Sequence, residues 1–135
     1  MGSSLIDEFI IESNENLSNI SEQLTRYEQN VNDMDLLNDI YRKVHTLKGS
    51  ANFLGFKSLQ RITHTAENTL DMLRGGDLKI SPKLTDLLLR TFDACTAIVK
   101  HVEQNGEEGP TEVEGLVKDL QTFVEEPSEE KGAEP

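Results

Sequence analysis

Among the three histidines of this 135-residue chain, His45 sits in the run YRKVHTLKGSANFLGF, residues 41–56. Lys48 and Gly49 follow it at spacings of three and four, which is one turn if the segment is helical. A neutral imidazole offers a ring nitrogen with a free lone pair, so it can act as a nucleophile near neutral pH. A lysine within one turn supplies a cation suited to an anion held at that ring. Glycine inside a helix costs about 1 kcal/mol relative to alanine. Its missing side chain clears space beside the imidazole for a large group on the ring or for a docking partner. A second polar group lies in THTAENTLD, residues 63–71, where His64 and Glu67 are three apart. They are therefore neighbours on the outer and flanking surface of a helix. If the two segments form a hairpin, Glu67 can accept the Nδ1 proton of His45. That bond fixes the tautomer, leaves the Nε2 lone pair free and raises its basicity.

Such chemistry needs a rigid frame, and the apolar spacing describes one. Five segments repeat apolar residues at three and four, and none shows the alternation of a strand. The expected helices are 5–29, 34–54, 57–74, 82–104 and 112–124. Ser4 is the expected cap of the first, and Asp33 or Asp35 opens the second. Gly55 suits a left-handed stop, and Gly75-Gly76 ends the third helix. Ser81-Pro82 reads as a cap followed by proline at the first helical position. After the NGEEGP break, Thr111 and Glu114 have capping-box spacing. Short loops between long amphipathic helices imply antiparallel neighbours. The expected architecture is all-α, an antiparallel up-and-down four-helix bundle over 1–124 with a short fifth helix appended. Residues 125–135, EEPSEEKGAEP, read as a disordered acidic tail or the start of a linker.

The helical period also says where the histidine points. At 100° per residue and with Leu36 at zero, Ile40, Val44, Leu47, Ala51 and Leu54 fall in an arc centred near roughly 35°. His45 falls at about 180°, nearly opposite that arc, with Gly49 and Asn52 on the same outer face and Lys48 at its border. Packing does not require a histidine there. Read singly, an exposed histidine, a solvated lysine or a surface glutamate is commonplace; the combination is what carries information.

Bulk properties narrow the partners. A formal net charge of −12 repels nucleic acid and anionic lipid. No apolar run reaches the length of a membrane span, and the start MGSSLIDEF is no signal peptide. The lone Cys95 rules out an internal disulfide and suits a reducing cytoplasm. It falls on the apolar stripe of the fourth segment as a small core residue, and His101 near that segment's end complements the helix dipole.

HTLKGSANFLGF resembles the signature of histidine phosphotransfer (HPt) domains. Together with THTAENTLDMLRGG it resembles the amino-terminal phosphotransfer domains of CheA-type chemotaxis histidine kinases. An H-x-x-K-G alone would be weak; joined to Gly55-Phe56 and to H-x-x-E in the next helix it is specific. The resemblance implies that His45 is phosphorylated, that Glu67 orients and activates it, and that Lys48 steadies the phosphoryl group. It places His64 in the same polar network and makes Gly49 the small residue beside the histidine. It further implies a carrier in two-component signalling, a phosphoacceptor and phosphodonor more than an enzyme. The expected partners are a histidine-kinase ATP-binding domain and response-regulator receiver domains, with ATP and Mg²⁺ supplied by those partners. No cofactor or metal is expected in the domain itself.

Two other readings use the same residues. A metal-binding bundle would draw on His45, His64, Glu67 and His101, although only His64 and Glu67 have tight helical spacing. An adaptor bundle would bind a partner helix, for instance through a fifth segment whose stripe is widened by Val117 and Val124.

Overall fold

The structure is a computed structural model; it describes residues 4–109 and 112–125. Five helices follow in order: α1 Ser4–Gln29, α2 Met34–Leu54, α3 Lys57–Gly75, α4 Pro82–Asn105 and α5 Glu114–Glu125. α1 packs beside α2 and α4, and α3 closes the square by packing beside the same two. The result is the expected antiparallel four-helix bundle. α5 lies against α3 and α4.

Local chemistry accounts for most of the helix ends. Asp33 caps α2 by accepting the Leu36 N–H at 3.1 Å, and Ser81 caps α4 by accepting the Leu84 N–H at 3.1 Å. Each satisfies an amide that has no partner inside its helix. Gly55 ends α2 at φ 81°, a left-handed conformation that glycine adopts without a Cβ clash. α3 stops in the same way one residue later than the glycine pair suggested, with Gly76 in the left-handed region. α5 starts at Glu114, two residues after the expected position. The proposed Thr111 cap and the tail over 126–135 fall outside the described residues.

The first turn of α3 is capped from a distance. Its own N-cap, Phe56, offers no side-chain acceptor. Glu108, from the loop after α4, accepts the Leu59 N–H at 2.7 Å instead. A carboxylate there also suits the positive end of the helix dipole. Arg61 then pairs with Glu114 at 3.0 Å, and Leu120 and Val124 lie along the α3 stretch from Thr65 to Met72. α5 therefore runs in the same direction as α3. It buries Val117, Leu120 and Phe123 against the bundle, so its apolar stripe covers this protein's own core and is not left for a partner helix.

The core residues expected of α2 are buried from Leu36 to Ala51, with Leu54 only partly so. Leu37, Leu59, Leu88 and Phe92 have no exposed surface at all. Truncating a leucine so placed costs about 2–5 kcal/mol, and a frame packed this closely does not let α2 and α3 slide past one another. Cys95 is a core residue, and burial pushes its thiol up to about 12. The ring of His101 lies against the loop, where a Cβ on Gly109 would collide with it. No helix among the described residues is long and apolar enough to cross a membrane.

Candidate functional site

The hairpin of α2 and α3 brings His45 and Glu67 together. His45 stands on the outer face of α2 with 62% of its side chain exposed, and its Nδ1 lies 2.5 Å from Glu67 Oε2. Glu67 differs from its expected setting. The reading of α3 placed it on the outer and flanking surface beside His64, whereas it is buried, with 7% of its side chain accessible. α2 packs along that flank of α3, so the carboxylate sits in the seam between the helices and reaches out to the imidazole from below.

A buried carboxylate needs donors. Lys48 Nζ lies 2.5 Å from Glu67 Oε1, so each carboxylate oxygen has its own partner. Burial by itself pushes the Glu67 carboxyl up. Hydrogen bonds from Lys48, His45 and Tyr41, with the Lys48 charge behind them, outweigh that and hold it below the usual carboxylate range. An ionised carboxylate can only accept. Nδ1 of His45 therefore carries a hydrogen, and in the neutral ring the lone pair is left on Nε2.

Lys48 was expected to face a phosphoryl group. In this structure its ammonium is paired with Glu67. A Cβ built on Gly49 meets nothing within 4 Å, so its small size answers to no neighbour in the fold.

His64 is not drawn into this group. Its ring is exposed, faces the Asn68 amide at 3.5 Å and lines a hollow between α3 and α5. One-turn spacing from Glu67 does not suffice, since α2 covers one flank of α3 and α5 the other. His101 lies against Gly109. The four residues of a metal-binding reading do not converge, and among the described residues no group of three or more His, Cys, Asp or Glu side chains could hold a metal ion.

Two features beside the site were not read from the sequence. Tyr41, one turn before His45, stacks its ring on the imidazole, and Arg74 places its guanidinium over the tyrosine. A spacing of four on one helix face was the available signal for Tyr41; nothing in the sequence pointed to Arg74. On the opposite flank, a hollow of about 410 Å³ opens between α1 and the second half of α2, reaching His45 and Gly49. Leu5, Phe9 and Phe53 supply its apolar lining and Glu8 and Glu12 its charge. Phe53 is 76% exposed, which is unusual for a large aromatic side chain.

The chain matches the family model described as "Hpt domain" over residues 4–122. It is 34% identical over 124 residues to the sensor histidine kinase CheAY of Helicobacter pylori, a match covering 89% of this chain and 15% of that protein. It is 35% identical over 102 residues to the chemotaxis protein CheA of Bacillus subtilis, covering 76% of this chain and again 15% of the relative. The chain thus corresponds to a small part of those proteins' length. The solution structure of the histidine phosphotransfer domain of CheA superposes with a TM-score of 0.85 at 31% identity, covering 94% of this chain and 96% of that one. The phosphorylated P1 domain of CheA3, crystallised in complex with CheY6 from R. sphaeroides, gives a TM-score of 0.80 at 17% identity, covering 89% and 94%. At that identity the second match shows a shared fold.

Proposed function

This chain belongs to the Hpt domain family, and from that footing we propose that His45 carries a phosphoryl group between two partner proteins in chemotaxis-type two-component signalling. One observation supports this reading above the others: Nδ1 of an exposed imidazole is bonded to a buried, ionised carboxylate, which leaves Nε2 free on the outer face. In the first half-reaction, Nε2 attacks the γ-phosphorus of ATP. The N–P bond forms as the bond to the ADP oxygen breaks, and ADP leaves. In the second, a carboxylate oxygen of an aspartate attacks the same phosphorus, and the electron pair of the N–P bond returns to Nε2.

Phosphoryl transfer depends mainly on positioning and on charge stabilisation. A carrier can therefore leave ATP and Mg²⁺ to its partners, a histidine-kinase ATP-binding domain and a response-regulator receiver domain. Glu67 orients the ring and stabilises the positive charge that develops on it. Lys48 keeps Glu67 ionised, and its ammonium is also the cation within one turn of the ring that can share the charge of an arriving phosphoryl group. Gly49 and the hollow lined by Phe9 and Phe53 leave room for a partner to close over the histidine. On this reading the domain is a phosphoacceptor and phosphodonor, not an enzyme in isolation. A cytoplasmic setting suits both its need for ATP and its lone thiol.

The test uses a chemotaxis histidine-kinase catalytic domain with Mg-ATP. The wild-type protein is expected to gain an acid-labile, alkali-stable phosphate, and His45→Gln to gain none. Label retained by His45→Gln removes the assignment. The adaptor reading instead requires partner binding that is indifferent to His45, with no label on either protein.

A further inference from the structure

We infer that Tyr41 is a positioning residue for His45, braced in turn by Arg74. This rests on His45 as the phosphoacceptor and adds what orients its ring. A side chain 62% exposed has little packing to select its rotamer. The bond from Nδ1 to Glu67 fixes one point of the imidazole and leaves the plane free to swing about that point. A second constraint is needed, and it has to act on the plane. Tyr41 supplies it: its ring lies 6.2 Å from the imidazole, centroid to centroid, with 13° between the planes. That is the range of an offset stack. One point and one plane together determine the direction of Nε2.

Tyr41 is itself held at two places. Its hydroxyl faces the Glu67 carboxylate and helps to hold that carboxyl down, the same group to which His45 Nδ1 is bonded. The Arg74 guanidinium carbon lies 3.9 Å from the centre of its ring, a cation–π arrangement. Arg74 is anchored by Asp71 at 3.4 Å. The ring and the hydroxyl act separately, so they can be removed separately. Tyr41→Phe keeps the plane and loses the hydroxyl; Tyr41→Leu loses both. Arg74→Gln removes the brace without touching the site.

The test takes the 135-residue chain as wild type and the three variants, with folding checked by circular dichroism. Two quantities are measured. The first is the rate of His45 phosphorylation by phosphoramidate, a small donor that needs no protein partner. The second is the pair of imidazole ¹⁵N shifts of His45 followed across pH to their alkaline limit, where each nitrogen reports the tautomer. In the wild type, the shifts are expected to show the hydrogen on Nδ1. Tyr41→Leu is expected to slow phosphorylation about two- to tenfold, the rate equivalent of one aromatic contact, and to move the two shifts toward each other. Tyr41→Phe should stay within about twofold of wild type, and Arg74→Gln should fall between Phe and Leu. A folded Tyr41→Leu with wild-type rate and wild-type shifts overturns the inference. A wild type that takes up no phosphate on His45 overturns the carrier reading instead. The nitrogen shifts still decide whether Tyr41 orients the ring.

Discussion

Replacing Glu67 with alanine removes the one group that both the imidazole and Lys48 depend on. The carboxylate is buried and accepts at 2.5 Å from His45 and at 2.5 Å from Lys48. A hydrogen bond to a charged group is worth about 1.5–3 kcal/mol. If the bond to His45 is expressed in the transition state, where the ring becomes cationic, its loss slows phosphorylation by about 10- to 100-fold. The cost to the fold is smaller than two such bonds. His45 and Lys48 are 62% and 26% exposed, so each recovers water as a partner. A loss of about 1–3 kcal/mol is expected, within what a domain of ordinary stability tolerates. Single-turnover labelling by a kinase domain with Mg-ATP measures the rate, and urea unfolding measures the stability. Glu67→Gln keeps a neutral acceptor and should lie between alanine and wild type in both. A folded Glu67→Ala labelled at the wild-type rate refutes the reasoning, because the bond would then contribute nothing to the reaction.

Acid should weaken the fold partly through the same residue. The folded Glu67 carboxyl lies below its ordinary value of 4.5, so its stabilisation is complete above the unfolded value and fades as pH falls through the lower folded one. Glu67→Gln is expected to flatten that part of the urea midpoint's dependence on pH, and an unchanged slope would exclude it. Gly49→Ala should stabilise the protein by about 1 kcal/mol, since its Cβ meets nothing within 4 Å. The melting temperature should therefore rise by about 3–5 °C; a fall would reveal crowding beside the histidine. Gly49→Trp should keep phosphorylation by phosphoramidate but lose much of that by the kinase domain. Glu108→Ala removes the acceptor at the start of α3 and should cost about 0.5–2 kcal/mol in urea unfolding, with labelling of His45 unchanged.

Much of this arrangement is written locally in the sequence. Asp33, Gly55 and Ser81 act on amides or carbonyls within a few residues of themselves, so the ends of α2 and the start of α4 follow from short-range chemistry. The outward direction of His45 follows from the helical period alone. What the sequence conceals depends on which helix covers which flank. Glu67 and His64 look alike on a helical wheel, yet α2 buries the first and α5 shares a hollow with the second. The cap of α3 comes from Glu108, 49 residues away from the amide it serves, and no local pattern announces it. Lys48 and Glu67 each point toward the histidine, and the ion pair between them follows once both are placed near one ring. Arg74 reaches Tyr41 across the same helix pair, a contact that depends on how α2 and α3 are set against each other.

The most direct measurement is ³¹P–¹⁵N NMR on the protein labelled in its histidines and phosphorylated by phosphoramidate. The expected result is a single phosphorus signal coupled to one nitrogen, Nε2 of His45. Phosphorus coupled to Nδ1, attached to His64 or His101, or held on an oxygen would contradict the claim that Glu67 holds His45 with Nε2 outward as the reactive atom.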